Sequence, residues 1–236
     1  MDILKRHTQD LLGLNLTPAH LRAFSIYATR LIEWNERVNL TAITDPQEIQ
    51  VRHFLDSLSC LLVMRPQPGL RVADVGSGAG FPSLPLKIVY PGLDVTLIEA
   101  TGKKVEFLRA IVGELGLEGV TLLAERAEAV GQIAVHHERY DWVLARAVAG
   151  MRTLAEYLLP LCRVGGRCLA QKGEGAPQEV AGAQHAIELL GGHIAQLKSV
   201  ELPGVPETHY LVQLDKRAAT PPGYPRRPGM PSKRPL

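Results

Sequence analysis

Val72-Ala73-Asp74-Val75-Gly76-Ser77-Gly78-Ala79-Gly80-Phe81-Pro82 decides the fold. An apolar run interrupted by one acid leads into alternating glycines and then a proline, which reads as a strand, a tight turn and the opening of a helix. In open α/β sheets the crevice beyond the carboxyl end of such a strand is where ligands bind. Gly76, Gly78 and Gly80 let the backbone turn sharply and approach a ligand closely. The dinucleotide fingerprint needs a third small residue where Phe81 stands, so a pyrophosphate cofactor is disfavoured. A Walker loop is absent, because Gly102-Lys103-Lys104 lacks the glycine-rich run before it. Asp74 would repel a pyrophosphate but could orient a ligand ammonium, directly or through water. The next apolar run ends at Glu99, roughly twenty residues beyond Gly76, near the spacing at which an acid takes ribose hydroxyls. Ala127-Glu128 follows the third run closely and offers a second carboxylate. The set suits an adenosine without pyrophosphate that carries an ammonium, which is the chemistry of S-adenosylmethionine.

Outward from this loop, short apolar runs alternate with amphipathic stretches. Strands are expected at Arg71–Val75, Val95–Glu99, Val120–Ala124, Trp142–Ala145, Arg167–Lys172, Ile194–Val200 and Tyr210–Leu214, with helices near 83–89, 102–115, 151–161 and 176–190. In the second of these helices Val105, Leu108, Val112 and Leu115 form a stripe, with Lys103, Lys104 and Arg109 largely off it. The pattern predicts an α/β fold with a seven-stranded, mostly parallel sheet covered on both faces. The last two strands are joined by Pro203-Gly204-Val205-Pro206, loop chemistry that predicts an antiparallel edge pair.

Residues 1–66 read as a helical N-terminal extension. Thr17-Pro18 is an N-cap with proline at the first helical position, and Leu21, Phe24, Ala28, Leu31 and Trp34 follow at helical spacing. Asp45-Pro46-Gln47-Glu48 repeats the device, with Glu48 at the capping-box position. Beyond it, Val51, Leu55, Leu58 and Leu62 make one face, with Arg52, Asp56 and Ser59 elsewhere on the helix. Pro66 to Gly69 mark a linker to the ligand-binding domain, 67–217.

The chain has 236 residues, 46% apolar and 21% charged, enough for a sizeable core. Its net charge is +2, yet the tail 218–236 holds Arg226, Arg227, Lys233 and Arg234 and no acid, so the first 217 residues carry −2. Six of the 17 prolines also lie in that tail. Such a segment should lack regular structure on its own, or lie along the body or a phosphate backbone. Three cysteines without CxxC spacing argue against a disulfide scaffold or a structural zinc site and fit a reducing cytosol. Cys162 and Cys168 read as packing residues. No apolar run approaches a bilayer span.

Several stretches together carry a family resemblance. They are Trp34-Asn35, Val38-Asn39-Leu40-Thr41, Val51 to Ser57, Asp74 to Pro82, Gly102 to Leu108, Ala145-Arg146-Ala147, Gln171-Lys172-Gly173 and Tyr224 to Gly229. In order and spacing the chain resembles the RsmG (GidB) family of bacterial 16S rRNA guanine-N7 methyltransferases over nearly its whole length. Ser77, Ala79, Phe81 and Ser83 depart mildly from the family's loop and leave the glycines intact. The resemblance implies a class I, Rossmann-like methyltransferase domain behind a helical extension. It implies S-adenosylmethionine contacts at Gly76, Phe81, Glu99, Ala100, Thr101, Ala127, Glu128 and Arg146. It implies 16S rRNA or the small ribosomal subunit as partner, with no metal or membrane, and a monomer is expected.

Guanine N7 presents a lone pair at the major-groove edge, so no proton need leave before attack. No general base is required, and orientation carries the reaction. The residues after the fourth strand, Arg146-Ala147-Val148-Ala149, lack the Asn/Asp-Pro-Pro-aromatic signature of exocyclic-amine methylation, and no cysteine follows a proline as 5-methylcytosine chemistry needs. Arg146 is the candidate catalytic residue, as a cofactor or nucleotide contact; its bland alternative is a salt bridge with Asp141 or Glu128. His53 and Asp56 could meet on one helix; alternatively Arg52, His53 and Asn39 line the RNA side of the pocket. Lys103, Lys104, Arg109, Lys172, Arg226 and Arg227 are phosphate candidates. The rivals are a class I methyltransferase for another RNA or a small molecule, an NAD-linked oxidoreductase, and a silent RNA-binding scaffold.

Overall fold

Seven strands form one sheet in the order β3-β2-β1-β4-β5-β7-β6 in a computed structural model describing residues 1–236. These are β1 (Arg71–Val75), β2 (Asp94–Ile98), β3 (Val120–Leu123), β4 (Tyr140–Arg146), β5 (Cys162–Lys172), β6 (Gly192–Val200) and β7 (His209–Lys216). The first five pair in parallel; β7 runs antiparallel to both β5 and β6. The expected antiparallel edge is therefore a single reversed strand inserted between β5 and β6. The chain leaves β1 toward β2 and β3, then returns to β4 on β1's other side, so the sheet's switch point lies at the carboxyl end of β1.

Alternation along the strands divides the core in two. Val72, Val95, Leu97, Trp142, Leu144 and Leu169 face one layer, while Ala73, Val75, Ile98, Val143, Ala145 and Cys168 face the other. The first layer is shared by α1 (Asp2–Leu12), α2 (Pro18–Val38), the helical run 46–62, α5 (Ser83–Val89) and α6 (Gly102–Glu114). The second is covered by α7 (Ala127–Gly131), α8 (Met151–Leu158), α9 (Ala176–Gly182) and α10 (Gln184–Leu189). The N-terminal helices thus bury their apolar faces against the sheet itself.

Thr17 caps α2 through the His20 amide, and His20 Nδ1 accepts the Thr17 amide in return. At Asp45 only half the expected box forms. Asp45 accepts the Gln47 and Glu48 amides, while Glu48 turns to Arg52 instead. The run 46–62 is not one α-helix. It comprises α3 (Pro46–Glu48), a π-helix Ile49–Leu55, α4 (Asp56–Leu58) and a 3-10 turn Ser59–Leu62. Ser57 and Ser59 hydroxyls donate to the His53 and Asp56 carbonyls, satisfying backbone acceptors where the winding changes. Asp56 and Ser59, expected off the buried face, are buried with their neighbours because this segment is enclosed on every side. The single helix expected over 176–190 is broken at Ala183 into α9 and α10.

The tail is ordered against the body. It lies along the body, as one of the two expectations has it, with a single short helix, α11 (Met230–Lys233), and its polar groups find partners there.

Candidate functional site

The glycine turn sits beyond β1 at the switch point. Gly76 and Ser77 amides donate to the Ile98 carbonyl, fastening the turn to β2. Gly76, Gly78 and Gly80 have φ of 67°, 58° and 92°, a region that admits glycine far more readily than other residues. They serve different purposes. A Cβ on Gly76 would lie 2.7 Å from the Val148 side chain, and one on Gly80 would lie 2.5 Å from Leu84 and 2.6 Å from the Tyr27 hydroxyl. At Gly78 a Cβ would meet only the Gly76 carbonyl, at 3.8 Å. Gly76 and Gly80 are glycine because protein packs on them; Gly78 alone looks onto open space.

Glu99 fixes that open position. Its carboxylate accepts the Gly78 amide at 2.9 Å and the Thr101 amide at 2.7 Å. A crevice of about 280 Å3 opens beside Glu99, with Gly76, Ala100, Ala127 and Glu128 along it and Tyr157 from α8 at one side; Gly78, Gly80 and Thr101 do not line it. Glu99 and Glu128 are both buried, and Arg126 is exposed at the rim. Glu125, exposed beside Arg126, is a third carboxylate lining the crevice. Such a set disfavours a pyrophosphate and accepts from hydroxyls. The residues thus fit a nucleoside cofactor such as S-adenosylmethionine.

Asp74 lies apart from this crevice. It points to the opposite face of β1, wholly buried, where Oδ2 accepts the Ser83 amide at 3.0 Å and caps α5. Burial pushes its carboxyl up to about 7, against the pull of Ser83 and Arg146. The carboxylate is closed off from solvent, and its other oxygen, Oδ1, has no hydrogen-bond partner. Phe81 is also turned inward. It stacks between Tyr27 and His53, with ring centroids 5.4 and 4.7 Å away, and the Arg146 guanidinium lies 4.6 Å from its centre.

A second cavity, about 430 Å3, opens on the other side of the turn at Ala147. Arg146 ends β4 at its edge, with Arg52, His53 and Asp56 from the helical run and Gln171 and Lys172 from β5. Its organiser is Asp56. One oxygen accepts from Arg146 Nη1 and the other from His209 Nδ1, both at 2.9 Å, while Gln171 Nε2 donates to the Asp56 carbonyl at 2.7 Å. Burial opposes the Asp56 charge, but His209 and Arg146 outweigh it and hold the carboxyl below its ordinary range. The same hydrogen bond raises His209. His53 is pushed down to about 3, first by burial and then by Arg146, and stays neutral. It bonds Thr41 rather than Asp56, so the expected His53–Asp56 contact is absent. Arg146 is salt-bridged to neither Asp141, which takes Arg163, nor Glu128.

Other expected residues scatter. Asn39 closes α2 in the left-handed region and lies outside the second cavity. Lys172 lines that cavity but is tied to Glu179 at 2.7 Å and to the Ala149 carbonyl, and Arg226 is held by the buried Glu156; neither cation is free for a phosphate. Lys103, Arg109 and Arg227 are exposed, and Lys104 is half-buried. Cys60, Cys162 and Cys168 are buried. No group of three or more histidines, cysteines and acids is placed to hold a metal, and no helix is long and apolar enough to cross a membrane.

Sequence reasoning missed Tyr27, Gln171 and His209. Tyr27 shares the buried face of Phe24 and Leu31, and its hydroxyl donates to the Ala79 carbonyl. Helical spacing from Phe24 could have found it. Gln171 enters the sequence reading only within Gln171-Lys172-Gly173, a stretch that carries the family resemblance, and His209 gave no local signal.

The family model for rRNA small subunit methyltransferase G (GidB) matches residues 20–208. The ribosomal RNA small subunit methyltransferase G of Roseiflexus castenholzii is 53% identical over 224 residues, covering 95% of each chain. That of Alkaliphilus metalliredigens is 44% identical over 234 residues, covering 99% of this chain and 98% of its own. Among solved structures, TrmN from Thermus thermophilus superposes with a TM-score of 0.55 at 20% identity, covering 71% of this chain and 53% of that one. A 16S rRNA (adenine(1408)-N(1))-methyltransferase from Catenulisporales acidiphilia with cosubstrate SAM gives 0.52 at 17% identity, covering 65% and 88%.

Proposed function

The chain belongs to the rRNA small subunit methyltransferase G family, and from that premise we propose that it methylates N7 of a guanine in 16S rRNA with S-adenosylmethionine. The observation that carries the cofactor half is Gly78, the one open glycine of the turn, held by Glu99 at the sheet's switch point. When bound, the cofactor supplies an electrophilic methyl group on its sulfonium. Glu99 and Glu128 accept from its hydroxyls, and Gly78 lets the backbone come close.

The target base enters the second cavity, across the Ala147 turn. Arg146 is fixed there by Asp56 and by the His53 and Phe81 rings. A guanidinium only donates, so it suits an acceptor such as guanine O6, beside N7. His53 is pushed too low to act as a base, Asp56 and Glu179 are committed to Arg146, His209 and Lys172, and Glu174 is exposed. No base is needed, because N7 already presents its lone pair. Catalysis rests on orientation, an effect worth up to about 7–11 kcal/mol. Exposed Lys103, Arg109 and Arg227, with Lys104, meet RNA phosphates.

Calorimetric titration tests the cofactor half. S-adenosylmethionine should bind in the micromolar range and NADH should not. NADH binding without S-adenosylmethionine binding would reject the reading in favour of an oxidoreductase.

A further inference from the structure

The tail crosses α7 and α8, the two helices that border the nucleoside crevice. Arg226 grips Glu156 of α8 through several hydrogen bonds, with Nη2 to Oε2 at 2.6 Å and Nε to Oε1 at 2.9 Å. Thr153 donates to the Pro231 carbonyl at 3.1 Å. On α7, Gly131 has no side chain where Pro225 sits; a Cβ there would lie 2.8 Å from the Pro225 ring. Gln132 Nε2 donates to the Pro225 carbonyl at 2.9 Å.

This docking brings the tail to the crevice itself. The Gly229 amide donates to Glu128 Oε1 at 2.9 Å, and Ser232 is one of the crevice-lining residues, together with Tyr157. Glu128 is thereby oriented by a residue a hundred positions further along the chain.

We propose that residues 225–232 form a wall of the cofactor crevice, with Gly229 positioning Glu128, so that the tail supplies cofactor affinity. The inference rests on the reading that the crevice holds S-adenosylmethionine. Its physical basis is that a ligand meeting a partly formed site loses affinity in proportion to the population in which the site is complete. The clustered prolines favour such a wall, because they restrict the undocked chain and lower the entropy lost on docking.

The test uses the full chain in two variants. Gly131→Val pushes Pro225 off α7. The paired change Arg226→Ala with Glu156→Gln removes the latch without leaving a buried, unpaired carboxylate. Each is titrated with S-adenosylmethionine by calorimetry, assayed for methyl transfer, and tested for 16S rRNA retention on filters across a salt series. The dissociation constant and KM for S-adenosylmethionine should rise about tenfold, as when the docked population falls to about a tenth. Both kcat at saturating cofactor and rRNA retention should stay within about twofold of wild type. Unchanged cofactor affinity in both variants would overturn the inference, as would rRNA retention becoming the property that weakens. If the wild-type chain failed to bind S-adenosylmethionine at all, the reading of the crevice would fall first and this inference with it.

Discussion

The two cavities on either side of the Ala147 turn are built by different means. The nucleoside crevice starts from a local unit, in which β1 runs into Gly76–Gly80 and Glu99, just after β2, reaches back to the Gly78 amide; α7, α8 and the tail complete it. The second cavity is assembled from a distance. Asp56 meets Arg146 90 positions away, Gln171 115 away and His209 153 away. Removing the Asp56 carboxylate leaves Arg146 and His209 without their partner at once, while the Gln171 bond to the Asp56 backbone carbonyl remains.

The largest effect is therefore expected at Asp56. Asp56→Ala should cost about 3–5 kcal/mol of stability, the usual consequence of breaking a buried pair from one side. Calorimetric unfolding checks this, and a loss below about 1 kcal/mol would show that the Asp56 pairing contributes little to stability.

The glycines divide next. Gly80→Ala forces a Cβ into Leu84 and Tyr27, and overpacking of this kind costs about 1–3 kcal/mol of stability. Gly78→Val meets no such wall. It should leave the fold largely present, with about 1–2 kcal/mol of backbone strain, while abolishing S-adenosylmethionine binding. Unfolding and titration of both variants check the split; equal loss of cofactor affinity with equal destabilisation would erase it. Glu99→Ala should weaken cofactor binding by about 1–3 kcal/mol through lost hydrogen bonds, without altering rRNA retention at saturating cofactor.

This contrast also explains what could be read from the sequence. The strand order's parallel core, the switch point and the acid after β2 follow from local runs and spacings, which is what singles out Glu99. The place of Asp74 before the glycines suggests a ligand contact, whereas strand alternation turns it to the far face, where it accepts the Ser83 amide at the start of α5. Asp56 was visible only as a helix residue beside His53. The π-helical winding and the partners on β4, β5 and β7 leave no local trace. The tail's proline-rich, acid-free composition suggests disorder, yet the acids that hold it, Glu128, Glu138 and Glu156, lie elsewhere in the chain.

The smallest expected effect is a pH dependence at the second cavity. The Asp56 hydrogen bond raises His209 above its ordinary value of 6.5. Its stabilising contribution is then complete below the unfolded value and fades as pH rises through the raised one. The difference in Tm between wild type and His209→Asn should be widest in mild acid, near pH 6, and shrink in alkali. A difference independent of pH would mean that His209 contributes by packing alone.

The central claim is that a methyl group passes from the glycine-turn crevice to a purine nitrogen held beside Arg146 without a general base. Incubating unmethylated small-subunit rRNA with methyl-labelled S-adenosylmethionine and the full chain, then resolving the nucleosides by mass spectrometry, tests it most directly. The label should appear in 7-methylguanosine. Label in an exocyclic amine or in cytosine, or none despite bound cofactor, would contradict it.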